Sequence, residues 1–174
     1  LRSLPSLLDT PVCDFGWQGP DFTLPDAQGT LHRMRDHLTD KGLLVAFICN
    51  HCPYVMRIAD QLAADAGALL DEGVGVLAVM SNDYDAYPAD RPEEMVRFAS
   101  AHGFRFPYLV DADQAVARSY GAVCTPDFFG FDGGGGLQYR GRMADLLAGM
   151  RQVAATSHGP AEQVASMGCS IKWR

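Results

Sequence analysis

Residues 43–53 read LLVAFICNHCP, an apolar run that ends in two cysteines and a proline. The unbroken run at residues 43–48 is typical of a strand that is buried on both faces. Pro53 suits the first turn of a helix, where its missing N–H costs nothing. An apolar stripe at helical spacing follows, made of Val55, Ile58, Ala59, Leu62, Ala66, Leu69 and Leu70. The segment therefore predicts a buried strand that runs directly into a long helix.

The chain on both sides of this segment alternates between strand and helix patterns. Residues 21–24 and 30–33 flank a turn-rich segment and predict an N-terminal hairpin. The later predicted elements are a buried strand at 74–80, a helix from Pro92, a strand at 108–110, a helix at 114–120, strands at 127–131 and 137–139, and a helix carrying Met143 to Val153. Two buried strands joined by a helix make a parallel pair, so the predicted fold class is α/β.

The two cysteines of this segment lie where function collects in such sheets, at the carboxyl end of a parallel strand. Cys49 and Cys52 also stand at the amino end of the predicted helix, where unpaired N–H groups and the helix dipole stabilise a thiolate. Their spacing lets the sulfurs meet as a redox-active disulfide. We expect Cys49 to be the nucleophile at the outer lip of the site, with Cys52 one turn further in. A protonated His51 would place a cation beside the Cys49 thiolate.

The composition indicates one acidic domain with few cysteines. The 174 residues are 48% hydrophobic and carry a formal charge of −7, which disfavours nucleic-acid binding. The longest apolar run, residues 42–48, is far too short to span a bilayer. Five cysteines are an odd and sparse number for a secreted disulfide scaffold, and a zinc site of four thiolates would need a second close pair. No signal segment opens the sequence, so we expect a cytoplasmic protein.

Six segments together resemble the thioredoxin-like superfamily, in its AhpC/TSA or redoxin branch. They are residues 20–29 (PDFTLPDAQG), 49–53 (CNHCP), 106–111 (FPYLVD), 116–122 (VARSYGA), 124–131 (CTPDFFGF) and 168–173 (GCSIKW). The resemblance implies a central mixed sheet flanked by helices, with an N-terminal β-hairpin and an inserted β-α unit. It also implies a cis peptide bond before Pro126 and a Thr125 backbone that hydrogen-bonds a substrate chain. No cofactor is implied beyond the Cys49–Cys52 disulfide.

The sequence also departs from this superfamily at particular positions. Thioredoxins carry a Trp before the first cysteine, where this chain has Ile48, and an acid in the preceding strand, which residues 43–48 lack. Proton transfer must then use water, His51 or another group. Peroxiredoxins carry a Thr three residues before the peroxide-reacting cysteine and an Arg near the later loop. Here position 49 is a cysteine and the later loop has no Arg, which weakens peroxide reduction by Cys52 without excluding it.

Three more residues are candidates for the site. Asn82 and Asp83 follow the second parallel strand at the same sheet edge, where they either line the site or form a solvated turn. Cys124 adjoins the expected cis-proline and is a third redox thiol, a metal ligand or a small buried hydrophobe. Cys13 and Cys169 lie near the termini and receive no role.

The sequence thus predicts a single thioredoxin-like domain over residues 1–174, with a core at about 18–156 and a C-terminal tail at 157–174. The leading function is thiol–disulfide exchange, in which Cys49 attacks a disulfide of a protein or small-thiol substrate. Cys52 then resolves the mixed disulfide. The upstream reductant is left open, and neither a nucleic acid nor a membrane is expected as a partner.

Supporting residues and two alternatives complete these expectations. The residues that support the cysteines are Asn50, His51, Pro53, Thr125 and Pro126. The first alternative is a peroxiredoxin-like thiol peroxidase that uses Cys52 or Cys49. The second is a copper-binding module in which Cys49, Cys52 and a distant His hold the ion, because soft thiolates and imidazole suit copper. The leading function itself requires no metal.

Overall fold

The computed structural model describes residues 7–174, in which strands and helices alternate along the chain. The strands are β1 (Leu7–Asp9), β2 (Thr23–Pro25), β3 (Leu31–Arg33), β4 (Leu43–Phe47), β5 (Gly75–Met80), β6 (Tyr108–Val110), β7 (Cys124–Thr125), β8 (Asp127–Phe131), β9 (Leu137–Tyr139) and β10 (Met167–Ser170). The α-helices are α1 (Met34–His37), α2 (Pro53–Asp71), α3 (Pro92–His102), α4 (Ala115–Tyr120) and α5 (Leu146–Thr156), with 3-10 helices at Pro88–Asp90 and Met143–Asp145. Within this described part, no helix has both the length and the apolar character that a bilayer span requires.

A five-stranded mixed sheet forms the centre, in the spatial order β6-β5-β4-β8-β9. β4 runs parallel to β5, and β5 to β6, whereas β8 is antiparallel to β4, and β9 to β8. Phe47, the last residue of β4, lies opposite Val79 of β5 and Asp127 of β8. The segments that follow β4, follow β5 and precede β8 therefore meet at one edge of the sheet.

Successive residues of β4 face two separate apolar cores, because side chains alternate across a strand. Leu44 and Ala46 face a core shared with α2, α3 and α5, whereas Val45 and Phe47 face a core shared with α1, α4 and β2. No residue of β4 exposes more than 1% of its surface. Because both faces are covered, the strand needs apolar side chains at every position.

The predicted N-terminal hairpin is present as β2 and β3. Its strands were expected at residues 21–24 and 30–33, and they run over Thr23–Pro25 and Leu31–Arg33. In the turn between them, the Asp26 carboxylate accepts two backbone hydrogen bonds. The α/β class, the mixed sheet with flanking helices and the hairpin are confirmed.

The C-terminal residues differ from the weakly patterned tail expected at 157–174. They contain β10, which lies between β1 and β7 in a three-stranded antiparallel sheet. Just beyond β10, the Ile171 N–H donates to the Val123 carbonyl oxygen at 3.2 Å, and the Ile171 side chain is buried. The sequence of β10, MGCS, has no apolar alternation and little β propensity, so its partner strands determine its position.

Candidate active site

Both cysteines of the CNHC segment lie at the edge where β4 ends and α2 begins. Cys49 follows β4 by two residues, and Cys52 is the N-cap of α2, with Pro53 as its first helical residue. Each cysteine exposes only 1% of its surface. Cys49 therefore does not occupy the outer lip expected from the sequence, because a neighbouring loop covers it.

The loop at Thr125 and Pro126 faces both thiols. The peptide bond between these two residues is cis, the isomer that the resemblance implied. The Cys49 sulfur lies 3.5 Å from Thr125 Oγ1, and the Cys52 thiol lies 3.4 Å from the Thr125 carbonyl oxygen, which accepts its hydrogen bond. The structure thus brings the two cysteines and the proline loop together.

The two thiols differ in acidity because their neighbours differ. Interaction with the Cys49 thiol is the largest of the effects that lower the pKa of Cys52 from its ordinary 9.0 to about 4. The Cys169 thiol and the Val55 N–H lower this pKa further, against the opposing effect of burial. The same interaction with Cys52 raises the pKa of Cys49 well above its ordinary value, as do burial and the charge of Asp90. The pKa of Cys52 is therefore shifted down and that of Cys49 is shifted up, although the sequence pattern favoured Cys49 as the nucleophile.

A buried carboxylate, Asp90, completes the site and was missed by the sequence analysis. It ends the 3-10 helix Pro88–Asp90 and accepts hydrogen bonds from the Asn50 N–H at 2.8 Å and from Asn82 Nδ2 at 3.0 Å. These bonds tie the segment that follows β5 to the segment that follows β4, and so cover Cys49. The only signal in the sequence is an acid in a segment that leaves a parallel strand at this sheet edge.

His51 pairs with this carboxylate. Its Nδ1 approaches Asp90 Oδ2 to 2.6 Å, although the two groups are not aligned as a hydrogen bond. The imidazole also stacks on Tyr87, with ring centroids 5.5 Å apart and planes within 6° of parallel. His51 is therefore held against Asp90 and Tyr87, with a ring nitrogen within 4.8 Å of the Cys49 sulfur.

The potential metal ligands at the site form a small mixed group. Ligand atoms of Cys49, His51 and Asp90 lie within 4.8 Å of one another, the one such group found among residues 7–174. It offers a thiol, an imidazole and a carboxylate, and it leaves out Cys52. This arrangement differs from the copper set expected from the sequence, which needed both thiols and a distant His.

Asn50 links the cysteine segment to β6 as well as to the covering loop. The buried Tyr108 hydroxyl donates to Asn50 Oδ1 at 2.9 Å, and Asn50 Nδ2 donates to the Ala89 carbonyl oxygen at 3.1 Å. Burial raises the pKa of Tyr108 well above its ordinary value, so the phenol stays a hydrogen-bond donor. Asn50 is therefore a positioning residue for the loop that covers Cys49.

Asn82 and Asp83 have different roles at the sheet edge. Asn82 is buried, donates to Asp90 and accepts a hydrogen bond from the Lys172 N–H at 2.9 Å. Asp83 forms an ion pair with Arg174 at 3.0 Å. Asn82 thus supports the carboxylate of the site, whereas Asp83 binds the C-terminal segment and does not face the thiols.

Two further cysteines flank the site on opposite faces of β7. Cys169 of β10 is directly opposite Thr125 and packs in the same core as Cys49 and Cys52. Cys124 precedes Thr125, so its side chain leaves the other face of the strand. Burial raises the pKa of Cys124 to about 12. The third thiol that faces the pair is therefore Cys169, to which the sequence analysis assigned no role.

The backbone of Thr125, which the resemblance reserves for a substrate chain, is paired with β10 of the same chain. A Cβ built on Gly168 would lie only 2.0 Å from the Thr125 carbonyl oxygen, so glycine alone permits this approach. The side of β7 that faces β10 is therefore already paired within the chain.

The chain is similar to solved and curated proteins over most of its length. A crystal structure of a hypothetical protein from Sinorhizobium meliloti 1021 matches with a TM-score of 0.91 and 39% identity, over 95% of this chain and 98% of that one. The thiol-disulfide oxidoreductase ResA of Halalkalibacterium halodurans is 29% identical over 119 residues, which are 68% of this chain and 62% of ResA. A Mycobacterium tuberculosis protein that carries a provisional peroxiredoxin name is 26% identical over 115 residues, 66% of this chain and 68% of that protein.

Fold and family follow from these similarities. Structures of a peroxidoxin and of a thiol:disulfide interchange protein, both under 25% identical, match with TM-scores of 0.67 and 0.69, which confirms the thioredoxin-like fold. The sequence model of the AhpC/TSA family matches residues 15–141, a span that holds the cysteine pair and the cis-proline loop. On that match, which covers most of the chain, the protein belongs to the AhpC/TSA family.

Proposed function

We propose that this protein is a thiol–disulfide oxidoreductase whose substrates are disulfides of proteins or of small thiols. The observation that carries the proposal is the pair of adjacent thiols at the start of α2, with the pKa of Cys52 lowered to about 4. An ionised thiol is the reactive form in disulfide exchange, and a second thiol beside it can close the internal disulfide. The similarity to ResA, a thiol-disulfide oxidoreductase, supports the same reaction class.

The first half of the reaction uses the proton that the two thiols share. When a substrate disulfide approaches, the Cys49 proton moves to the Cys52 thiolate, and the Cys49 thiolate attacks one substrate sulfur. The substrate S–S bond breaks, a Cys49–substrate disulfide forms, and the departing substrate thiolate takes a proton from solvent. Hydrogen bonding to Thr125 Oγ1 lowers the pKa of Cys49 and thus assists this transfer.

In the second half, Cys52 loses its proton and attacks the Cys49 sulfur. The mixed disulfide breaks, the second substrate thiol leaves, and the Cys49–Cys52 disulfide forms. The substrate gains two electrons from the cysteine pair and two protons, one from the pair and one from solvent. An external dithiol returns the pair to its reduced state, and the reverse sequence oxidises a substrate dithiol.

The ion pair of His51 and Asp90 adjusts the first step. The Asp90 charge opposes ionisation of Cys49, and a proton on His51, whose Nδ1 lies 2.6 Å from Asp90 Oδ2, would offset that charge. Because both sulfurs are buried, we also expect the loop at Pro88–Asp90 to open before a substrate reaches Cys49. His51, which is partly exposed, lies where this opening would begin.

The test is reduction of insulin disulfides with dithiothreitol as the electron donor. We expect Cys49→Ser to lower the rate to that of dithiothreitol alone, because it removes the attacking thiol and the internal disulfide that completes the reaction. Cys13→Ser is the matched control, since Cys13 packs beside the opposite core, and it should keep the wild-type rate. Wild-type turnover by Cys49→Ser would refute the proposal.

A second candidate function is thiol peroxidase activity, favoured by the lowered pKa of Cys52 and by the relative with a provisional peroxiredoxin name. The Cys52 thiolate would attack a hydroperoxide O–O bond, giving a sulfenic acid and an alcohol. The Cys49 thiol would then displace water to form the disulfide. Peroxide consumption by the Cys49→Ser, Cys13→Ser and Cys52→Ser variants decides between the two functions. Consumption no faster than that of a free thiol excludes this candidate.

A further inference from the structure

We infer that Cys169 is a third redox thiol of this site. By thiol–disulfide exchange within the chain, it replaces Cys49 as the disulfide partner of Cys52. The inference rests on the proposed function, because it starts from the Cys49–Cys52 disulfide. It gives the oxidised protein two isomeric disulfides, Cys49–Cys52 and Cys52–Cys169.

The first support is the strand register of β10. Cys169 is directly opposite Thr125, and side chains of directly opposed residues lie on the same face of an antiparallel pair. The Thr125 side chain on that face reaches the Cys49 sulfur at 3.5 Å. Cys169 is 4% exposed and packs with Cys49 and Cys52 in one core. The register therefore directs a third thiol at the cysteine pair.

The second support is that β10 is anchored on both sides of Cys169. The Ser166 hydroxyl donates to the Pro126 carbonyl oxygen at 2.8 Å, and the Ile171 N–H donates to the Val123 carbonyl oxygen at 3.2 Å. Gly168 lies against the Thr125 carbonyl oxygen, the same atom that accepts the Cys52 hydrogen bond. Cys169 is thus held against the proline loop instead of moving with a loose terminus.

The third support is the central position of Cys52. Its thiol interacts with the thiols of both Cys49 and Cys169, and both interactions lower its pKa. The three sulfurs do not form one compact cluster. Among residues 7–174, one group of potential metal ligands has all its ligand atoms within 4.8 Å of one another, and it contains Cys49 but neither Cys52 nor Cys169. Cys52 therefore lies between two potential disulfide partners.

The exchange needs no external oxidant. Cys169 sulfur attacks Cys52 sulfur, the Cys49–Cys52 bond breaks, and the Cys52–Cys169 bond forms. Burial raises the pKa of Cys169 to about 12, so its proton passes to the departing Cys49 sulfur during the step. The number of disulfides is unchanged, and Cys49 becomes a free thiol in a protein that is still oxidised. That thiol can then attack a substrate disulfide while Cys52 is held elsewhere, which prolongs the mixed disulfide.

The test begins with Cys49→Ser, in which Cys52 has lost its usual partner. The folded variant is oxidised with diamide, whose N=N bond accepts the two electrons and two protons that a pair of thiols releases. After acid quenching, peptides are mapped by mass spectrometry without reduction. We expect a Cys52–Cys169 peptide pair, which is kept in Cys49→Ser/Cys124→Ser and lost in Cys49→Ser/Cys169→Ser. Free Cys52 and Cys169 after oxidation, or Cys52 joined to any other cysteine, would overturn the inference.

A second measurement uses the unmodified chain and does not depend on turnover. Wild-type protein that holds one disulfide per chain is alkylated in acid, and the label on Cys49 is counted. We expect labelled Cys49 in a fraction of molecules, and complete loss of that fraction in Cys169→Ser. An equal Cys49 label in both proteins contradicts the exchange. If the wild-type protein does not reduce insulin, the proposed function is wrong, but the disulfide maps still test the role of Cys169.

Discussion

Asp90 adds to the difference in acidity between the two thiols, after their interaction with each other and the burial of Cys49. Its carboxylate is fully buried and is held by hydrogen bonds from Asn50 and Asn82, so its charge cannot turn away from Cys49. A fixed negative charge disfavours a second one nearby, and this repulsion raises the pKa of Cys49. The acid that acts on Cys49 thus comes from outside the strand that precedes the cysteines.

Replacing Asp90 with Asn should lower the pKa of Cys49, because the amide keeps the shape of the side chain and removes its charge. Cys52→Ser is the best background, since it removes the coupling between the two thiols. The measurement is the pH dependence of Cys49 alkylation, resolved by peptide mass spectrometry. At a pH below the Cys49 pKa, the Asp90→Asn variant should be alkylated faster.

Asp83→Asn is the matched control for this experiment. The side chain lies in the same segment and has the same chemistry, but it pairs with Arg174. We expect the Cys49 profile of this control to match that of its Cys52→Ser background. If Asp90→Asn also leaves the profile in place, Asp90 does not control the thiol.

Single residues of the site differed in how well the sequence predicted them. Cys49 and Cys52 are local, since a strand, a proline and a helical stripe surround them within one segment. Asp90 is 40 residues from Asn50, whose N–H it accepts, and Cys169 reaches the site only through strand pairing. Such contacts depend on tertiary packing, which short-range sequence patterns do not predict.

At the scale of elements, the sequence patterns missed every strand of the three-stranded sheet, β1, β7 and β10, of which the longest is β10. It has four residues and includes a glycine and a serine, so it lacks the β-branched residues that favour strands. Its partners β1 and β7 are shorter still, with three and two residues. In contrast, β4, β5 and β8 are buried apolar strands of five or six residues, and their patterns predicted them well.

Gly168→Ala tests whether close approach between β10 and β7 holds the C-terminal strand. The new Cβ would meet the Thr125 backbone oxygen at 2.0 Å, and backbone cannot move aside as a flexible side chain can. We expect a loss of about 1–3 kcal/mol in the free energy of unfolding, the usual cost of overpacking. Urea denaturation of the reduced protein measures it.

Gly134→Ala is the control for the added methyl group. Its Cβ would have only the Asp132 carboxylate within reach, at 3.4 Å, so the change should stay within about 0.5 kcal/mol. Equal stability of the two variants would mean that β10 adjusts freely and is not held by Thr125.

At the scale of the whole molecule, the sheet gathers the site from four distant parts of the chain. The segment after β4 supplies the cysteine pair, and the segment after β5 supplies Asp90. The turn before β8 supplies the cis-proline loop, and β10 covers that loop from the side. The order of strands along the chain could be predicted because each large strand has its own apolar signal. Which loops cover the thiols could not, since that depends on hydrogen bonds such as Asn50 to Asp90.

The free energy of unfolding of the reduced protein should also depend on pH, and the Cys49–Cys52 disulfide should remove this dependence. In the reduced protein the pKa of Cys52 falls from 9.0 in the free thiol to about 4. Between these values the unfolded chain holds a proton that the folded chain has lost, so stability rises with pH. The contribution is absent below about pH 4 and complete above the ordinary thiol pKa. Its slope is at most about 1.4 kcal/mol per pH unit, the value for one proton.

The oxidised wild-type protein is the control for this dependence, because neither Cys49 nor Cys52 titrates once they are joined. The Cys52 charge also acts on Cys124 and Cys169, but these thiols and Cys13 titrate above this pH range. Urea unfolding of both forms should therefore give a stability difference that moves in favour of the reduced protein as pH rises from about 4 to 9. Parallel curves would mean that folding leaves the Cys52 pKa unchanged, and the thiolate that carries the proposed reaction would then be missing.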